Sequence, residues 1–557
     1  MHPFDWLIVF LLNGSVIAYG FYLAGGTKSS SEWFLGRRAL PWWAIGLSMF
    51  ATNVDSADIV SVTGKTFNEG LHIITVYAVG SALGGILAAF AIVPSMYRAG
   101  FYTNAEYLEA RFGVSARVLS ALIQIQYRSS MLGLMIWSIH VLLTGLKILG
   151  PVAAWILIVL LVICSGLYTA WGGLKSVVWT DALQGIVMMV GAAIIFFAVW
   201  NAVGGWSGMT ASLEQQKLEN LTHIGGYEGG DGTSSPYPFG WGAYIVVLGW
   251  TIIGTGYWTV NHTQTMRLMG ARSLWDMKMA AVTGVALSLP IMIVCACLGI
   301  FGRALPELHG IEADQIYPAL VNKYLGVGMK GLVVAGVVAA AVSTFDSMGS
   351  ALSAIFTRDI YARLILQNGD DRHYVLVGRW ATVGVLLLGF AYIPFILLQK
   401  NMLDAFTTLI PVFVTPLFTM YLAGVLTRAN RRSGMIGLIV GSTFGLLALY
   451  CREATKIPWL PNATTIPTWL TDQWIALCWS FLITALTMAV ATLFFGPDLR
   501  DQKLAINQSG WLKSSSETLP RLLEHPFQQS PSAWLNPTWY ATALMAVSLY
   551  IVFWQYW

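Results

Sequence analysis

The sequence predicts an all-α membrane protein with about fourteen transmembrane helices. Of its 557 residues, 56% are hydrophobic and only 10% are charged, whereas soluble globular proteins carry about 25% charged residues. Apolar runs of about twenty residues recur along the chain, and each is long enough to cross roughly 30 Å of hydrocarbon. The formal net charge of +4 does not indicate nucleic-acid binding, because the basic residues are scattered among the loops.

Each apolar run is a candidate span. The runs cover residues 5–25, 42–64, 71–96, 117–147, 151–170, 177–200, 240–265, 279–302, 330–356, 376–398, 404–427, 434–451, 472–495 and 537–556. No basic residue precedes the first run and no clear small-residue cleavage site follows it. We therefore expect residues 1–26 to form a retained helix and not a signal peptide.

Basic residues are unevenly divided between the loops on the two sides of the membrane. The side that contains Arg37, Arg98 and Arg267 is richer in Lys and Arg than the side that contains Lys147 and Lys400. The positive-inside rule places the richer side in the cytoplasm. We therefore expect a multi-pass protein of the cell membrane with both termini outside; the sequence does not specify an oligomeric state.

Long stretches between the spans are few. Residues 201–239 are polar and Gly-rich and are predicted to form an outer loop, residues 452–472 a second outer loop, and residues 497–536 a cytoplasmic loop. None is long enough for an enzymatic domain. The chain is therefore not predicted to be an enzyme, and the absence of a kinase-sized segment argues against a membrane sensor.

The second span contains ionisable residues that a lipid-facing helix should not tolerate. Asp55 and Asp58 are three residues apart and would share one helix face, and Asn53 adds a polar group. Carboxylates at bilayer depth cost roughly 2.5–3.5 kcal/mol each on insertion scales and usually mark a pathway or an ion site. An interruption of the helix here would free backbone carbonyls to bind a cation.

The ninth span carries a second polar segment, which begins at Ser343. Ser343, Thr344 and Asp346 lie in an otherwise apolar run, and Ser350 and Ser353 continue the stripe. Small hydroxyl residues often serve only as contacts between helices, and we favour that interpretation for Ser350 and Ser353. Because Asp346 requires a partner, we favour a functional site for the first three.

Motifs throughout the chain resemble the sodium:solute symporter family, which includes sodium/glucose, sodium/proline and sodium/sialic acid transporters. The matching segments are Asn53-Val54, the Trp171-Gly172-Gly173 turn that leads to Asp181, Tyr257-Trp258 followed by Arg267, Ser343-Thr344 with 355–361, and Leu422-Ala423-Gly424. The resemblance implies a LeuT-type fold. Two inverted five-helix repeats would cover 42–200 and 240–427, and three helices would follow within 428–557.

The resemblance also implies a Na+ site. Its ligands would be the carbonyls of Ala51, Val54 and Ala340 and the hydroxyls of Ser343 and Thr344. Asp181 matches a family residue that in some members joins a second sodium site or exit path; the alternative is a carboxylate paired with a nearby Lys or Arg. Asp55 and Asp346 are further candidates for a second cation.

Candidate substrate residues come from several spans. They are Asn53, Asp58, His72, Arg128, Tyr257, Trp258, Asn261, His262 and Lys278. Sugar transporters of the family place Gln or His at the position of Asp58 and Glu at the position of His72. A lone histidine such as His72 is more often an interfacial residue than a ligand. Arg128 would suit bidentate capture of a carboxylate, although it could instead extend to the interface.

Together these residues predict a Na+-coupled symporter of a small polar organic solute. A sugar or sugar derivative, acidic ones included, is the leading substrate class, and an amino acid or other carboxylate is the alternative. Asp55, Asp58 and Asp346 carry more negative charge than one Na+ balances. Lys278, His72 or Arg128 could compensate, a second cation could bind, or one carboxyl could stay protonated.

Overall fold

The computed structural model describes residues 1–24, 29–225, 241–399, 402–454, 467–497 and 535–557. Within these ranges the secondary structure is helical, apart from one isolated bridge between Leu40 and Ala271. Parts of the predicted loops at 201–239, 452–472 and 497–536 lie outside the described residues.

The helices of the first half are α1 (Pro3–Leu23), α2 (Ser30–Leu35), α3 (Trp42–Asn53), α4 (Ser56–Glu69), α5 (Ser81–Ile86), α6 (Val93–Arg98), α7 (Asn104–Phe112), α8 (Val114–Gly145), α9 (Pro151–Val203) and α10 (Gly205–Gln215). Wider turns join α5 and α6 into one apolar segment, Leu71–Arg98.

The helices of the second half are α11 (Gly242–Val260), α12 (His262–Met269), α13 (Leu274–Arg303), α14 (Ile316–Tyr324), α15 (Met329–Ile355), α16 (Asp371–Phe390), α17 (Ile393–Ile396), α18 (Met402–Leu426), α19 (Arg431–Ala454), α20 (Thr468–Thr471), α21 (Gln473–Phe495) and α22 (Pro537–Tyr550).

Eleven helical segments of the described chain are long and apolar enough to cross a membrane. The longest, α9, has 53 residues and departs from helical geometry at Gly173, where φ is 62°. The Cβ of any other residue there would lie 2.5 Å from the Trp33 carbonyl oxygen, so both conformation and space require glycine. The two halves of α9 correspond to the predicted spans 151–170 and 177–200.

One helix forms the centre of the bundle. Every residue of α15 from Val333 to Ile355 is buried, and the helix packs along α9 and against α1, α8 and α16. A helix that is surrounded by other helices can hold polar side chains away from lipid. This position explains how α15 tolerates the hydroxyl and carboxyl groups that the sequence places in it.

Close packing joins α11 to the apolar segment before α5. At Gly80, an added Cβ would lie 2.8 Å from the Trp250 carbonyl oxygen and 3.0 Å from the Gly254 Cα atom. Backbone atoms cannot move aside as a flexible side chain can. The two segments are therefore held at a distance that only glycine permits.

We expect Gly80→Ala to lower the stability of the protein by about 1–3 kcal/mol, the usual cost of overpacking a well-packed interior. The melting temperature of the purified protein measures this. Gly384→Ala is the matched control, because nothing lies within 4 Å of its added Cβ on α16. Equal melting temperatures for the two variants would contradict the close approach of the two segments.

Candidate functional site

The second predicted span is interrupted between α3 and α4. Val54 has an extended backbone (φ −112°, ψ 102°), and Asp55 caps the new helix. Its Oδ1 atom accepts a hydrogen bond from the Asp58 amide at 2.8 Å, and the Asp58 Oδ2 atom accepts one from the Asp55 amide at 3.4 Å. This capping box stabilises the start of α4. The interruption leaves carbonyls of the last turn of α3 without helical partners.

Oxygens of four predicted Na+ ligands lie close together where α3 ends beside α15. The Ser343 hydroxyl is 2.8 Å from the Ala51 carbonyl oxygen and 2.9 Å from the Ala340 carbonyl oxygen. The Thr344 hydroxyl donates to the same Ala340 oxygen at 3.0 Å. All four residues have no exposed surface, and Val54 is also fully buried beside them in the chain. Neutral oxygens from an unwound helix and a facing helix suit a hard cation such as Na+.

Thr52 links the end of α3 to two other helices. Its Oγ1 atom lies 2.9 Å from the Ser347 Oγ atom of α15, and its carbonyl oxygen accepts a hydrogen bond from the Tyr257 hydroxyl of α11 at 2.9 Å. The unwound end of α3 therefore contacts both the helix with the candidate Na+ ligands and a helix that lines the cavity described below.

A second interruption lies at Asn261, between α11 and α12. The Asn261 Oδ1 atom accepts a hydrogen bond from the Thr263 amide at 3.1 Å and caps α12. The breaks at Val54 and Asn261 fall in the first span of each predicted repeat. This is the arrangement expected of two related halves.

Asp181 is paired with an arginine. Its Oδ2 atom lies 2.7 Å from Arg267 Nη2 and accepts a hydrogen bond from the Ser48 hydroxyl at 2.7 Å. Both Asp181 and Arg267 are 0% exposed. Because Arg267 offsets the charge of Asp181, the structure favours the ion-pair interpretation of this carboxylate over a cation ligand.

Arg267 is a buried residue beside the candidate Na+ ligands to which the sequence analysis assigned no role in a site. Its placement in a basic cytoplasmic loop was wrong, since the side chain is fully buried in α12. Its guanidinium also donates to the Ser347 hydroxyl, the Thr263 carbonyl and the Ser48 hydroxyl. A buried arginine requires an acidic partner, and a search for partners of Asp181 could have found it.

Asp346 lies on the side of α15 that faces α9. Its Oδ1 atom accepts hydrogen bonds from the Ser165 hydroxyl and, at 3.0 Å, from the Thr169 hydroxyl. Its Oδ2 atom has no hydrogen-bond partner in the described part of the chain, and no cationic side chain there forms an ion pair with it. Asp346 is more deeply buried than Asp55 and Asp58.

A cavity lies beside the break in the second span. Five residues singled out from the sequence line it: Asn53, Asp55, Asp58, Arg128 and Tyr257. A second cavity adjoins it, and Asn261 lines that one together with Arg128 and Tyr257. The structure thus brings together residues from α3, α4, α8 and α11 around these adjoining cavities.

Arg128 faces this space and not the membrane interface. The residue is 4% exposed, and its Nε atom has no hydrogen-bond partner in the described structure. The guanidinium lies 5.4 Å from the centre of the Tyr257 ring. No acidic side chain of the described residues lies within ion-pair distance of it, so its Nε donor remains available to a bound molecule.

Two of the predicted substrate residues lie behind the cavity wall. His72 Nδ1 accepts a hydrogen bond from Trp250 Nε1 at 2.9 Å, and its Nε2 atom lies 3.4 Å from Glu69 Oε2. Trp258 is fully buried and packs on Gly84. Neither residue lines either cavity, because the first packs behind Trp250 and the second packs against Gly84.

The remaining two predicted substrate residues also lie elsewhere. His262 is fully buried in the first turn of α12, with Nδ1 3.4 Å from the Thr265 hydroxyl. Lys278, near the start of α13, extends over the Phe90 ring at 5.0 Å. Neither residue lines either of the two cavities.

Three aromatic residues of the cavity were not predicted from the sequence: Tyr77, Trp250 and Phe406. The Tyr77 hydroxyl donates to Asp58 Oδ1 at 2.8 Å. Trp250 lies seven residues before Tyr257, two turns earlier on the same helix face, so its position was predictable once Tyr257 was chosen. Tyr77 and Phe406 gave no such signal, because their roles depend on packing between distant segments.

A short segment between α13 and α14 packs on the C-terminal half of α4. At Gly64, an added Cβ would lie 2.3 Å from the Ala313 carbonyl oxygen. The next residue, Asp314, accepts a hydrogen bond from the Met402 amide at 3.1 Å. Burial raises the pKa of Asp314 from its ordinary value of 3.8 to about 6.

We expect Asp314 to make the protein less stable as pH rises. Its folded-state pKa exceeds its unfolded value, so its contribution is present below about pH 4 and is lost as pH rises through about 6. The melting temperature of Asp314→Asn relative to wild type should therefore increase between pH 4 and pH 7. A difference that stays constant over this range would contradict the raised pKa.

Comparison with known proteins identifies relatives that match most of the chain. The model of the sodium:solute symporter family matches residues 33–441. Sodium/glucose cotransporter 4 of Danio rerio is 26% identical, over 94% of this chain and 84% of its own length. The sodium/sialic acid symporter NanT of Aliivibrio fischeri is 25% identical, over 81% of this chain and 88% of its own.

A solved structure shares the fold. The substrate-bound, outward-open Na+-coupled sialic acid symporter aligns with a TM-score of 0.73, at 20% sequence identity. The alignment covers 89% of this chain and 98% of that one. The helical membrane-protein fold of the two chains is therefore the same.

Proposed function

The chain belongs to the sodium:solute symporter family, and on that premise we propose that it takes up a sugar or sugar derivative, acidic ones included. It is a Na+-coupled symporter. The oxygen cluster at Ala51, Ala340, Ser343 and Thr344, beside a polar cavity, is the observation that carries the proposal. Relatives named for glucose, myo-inositol and sialic acid support the substrate class.

The proposed ligands of Na+ are the carbonyls of Ala51, Val54 and Ala340 and the hydroxyls of Ser343 and Thr344. Bound Na+ would hold the unwound end of α3 against α15. It would thereby favour the conformation in which all residues of the solute site line the cavity. Coupling then follows from linkage, because an ion that stabilises the solute site is itself bound more tightly when solute is present. One charge that moves through 100 mV contributes about 2.3 kcal/mol.

The proposed solute site is made by the cavity residues Asn53, Asp58, Arg128 and Tyr257, with Asn261 in the adjoining space. Asp55 and Asp346 remain candidates for a second cation. We do not assign solute contacts to His72, Trp258, His262 or Lys278, which line neither cavity, and we assign Asp181 to its pair with Arg267.

The proposed topology has fourteen crossings, with both termini outside the cell and the basic loops in the cytoplasm. The two halves of α9, the helix α8 and the pair α3–α4 account for the crossings beyond the separate apolar helices. Two inverted five-helix repeats would span 42–200 and 240–427. The corresponding breaks at Val54 and Asn261 support this division.

Uptake into proteoliposomes tests the proposed function. We expect an inward Na+ gradient to drive accumulation of at least one radiolabelled sugar or sugar acid, and a K+ gradient to drive none. Carboxylates and amino acids form the second panel, because Arg128 would also suit a solute carboxylate. The proposal would be contradicted if no solute accumulates, or if every solute that accumulates does so without Na+.

A further inference from the structure

We infer that the solute carries a protonated amine, which Asp58 holds at the start of α4, and oxygens that accept hydrogen bonds from Arg128 and Asn53. The inference rests on the proposed function and names its solute class more closely. The class is an amino-substituted sugar or a similar small polar amine. A neutral sugar does not belong to it.

The charge of the cavity favours a cationic group on the solute. Asp55, Asp58 and Arg128 are the charged residues among those that line it. When both carboxylates are ionised, two of them against one guanidinium leave one negative charge without a counterpart. At membrane depth, an uncompensated charge is costly unless a bound ion or molecule supplies its partner.

Neighbouring charges do not supply that partner. Arg267 is paired with Asp181, and Lys278 lies over Phe90 outside the cavity. His72 contacts Glu69 and Trp250 behind the cavity wall. A Na+ ion at the oxygen cluster adds one positive charge, but Asp346 on the same helix as that cluster adds one negative charge.

Asp58 is positioned to hold the amine. It is the less buried of the two cavity carboxylates, while Asp55 is occupied as the cap of α4. The Tyr77 hydroxyl donates to Asp58 Oδ1 at 2.8 Å and fixes its orientation. Tyr77, Trp250 and Tyr257 line the same cavity, and the faces of such rings attract cations.

Two buried donors indicate where the oxygens of the solute would lie. Arg128 is 4% exposed and Asn53 is 5% exposed. In the described structure the Arg128 Nε atom and the Asn53 Nδ2 atom have no hydrogen-bond partner. Buried donors without partners are costly, so a ligand oxygen at each would satisfy them. An amine at Asp58 and hydroxyl or carboxylate oxygens at these donors together define a bifunctional solute.

The test compares matched solutes by their effect on the melting temperature of the purified full-length protein in Na+ and in K+. One set is D-glucosamine, D-glucose and N-acetyl-D-glucosamine, and the other is L-alanine, L-lactate and N-acetyl-L-alanine. We expect the amine of at least one set to bind in Na+ about tenfold or more tightly than its neutral or hydroxy analogues, as a charge-assisted hydrogen bond allows.

Asp58→Asn should remove this preference, so that amine and hydroxy analogues bind alike. Asp370→Asn is the matched control, since Asp370 is exposed at the start of α16, and it should keep the preference. Hydroxy analogues that bind as tightly as the amines would overturn the inference and leave Na+-coupled uptake intact. The inference would also be overturned if Na+ raises the melting temperature and no amine raises it further. If Na+ itself gives no stabilisation, the proposed function fails as well.

Discussion

We expect the double substitution Ser343→Ala and Thr344→Ala to abolish most Na+-dependent uptake while the protein stays folded. The two hydroxyls lie within 3.0 Å of carbonyl oxygens that the broken helix and α15 present. Their removal deletes two of the five proposed ligands. The Na+ concentration for half-maximal uptake should rise at least about tenfold, which corresponds to a loss of about 1.4 kcal/mol or more in binding.

Ser353→Ala is the control for this pair. Ser353 is buried on the same helix, but its hydroxyl donates only to the Ser350 carbonyl of its own helix at 2.9 Å. It should transport like wild type and melt at a similar temperature. A double variant whose Na+ dependence matches that of Ser353→Ala would refute the assignment of the site.

The second large effect concerns the buried ion pair. We expect Asp181→Asn to destabilise the protein by about 3–5 kcal/mol, because it leaves the Arg267 guanidinium buried without a counter-charge. The pair joins α12 to α9, and the Ser48 hydroxyl connects both to α3. Melting temperature and the yield of folded protein measure the loss.

Two further variants distinguish the effect of breaking this ion pair from the general effect of removing a charge. Replacing both members, with Asp181→Leu and Arg267→Met, should cost less than Asp181→Asn alone, since no unpaired charge remains. Arg272→Gln breaks a pair with Asp276 in which Arg272 is 48% exposed, and its effect should be within about 1 kcal/mol. If Asp181→Asn is as mild as Arg272→Gln, the burial of the pair is contradicted.

The sequence was sufficient to predict the membrane class, most spans and the place of the first helix break. Carboxylates and an asparagine in an apolar run indicate a break in the helix or a position that lines a cavity. The run around Asp55 has both. The location of the Ser343 and Thr344 hydroxyls inside the bundle was predictable for the same reason, and the family resemblance supported it. These signals are local, so they do not depend on how the helices pack.

Features that depend on packing were harder to predict. Asp181 and Arg267 are 86 residues apart, and nothing in either neighbourhood specifies the other. The capping role of Asp55 became clear only when the turn geometry was known. The position of Lys278 outside both cavities was not predictable, because a motif gives a residue's position in the chain but not the direction in which its side chain points.

The most direct test of the central claim is an experimental map of the protein in Na+ compared with one in K+. We predict density in Na+ between the carbonyl oxygens of Ala51, Val54 and Ala340 and the hydroxyls of Ser343 and Thr344, and its absence in the map of the double alanine variant. A map in Na+ in which these five oxygens lie too far apart to share one ion would contradict the account.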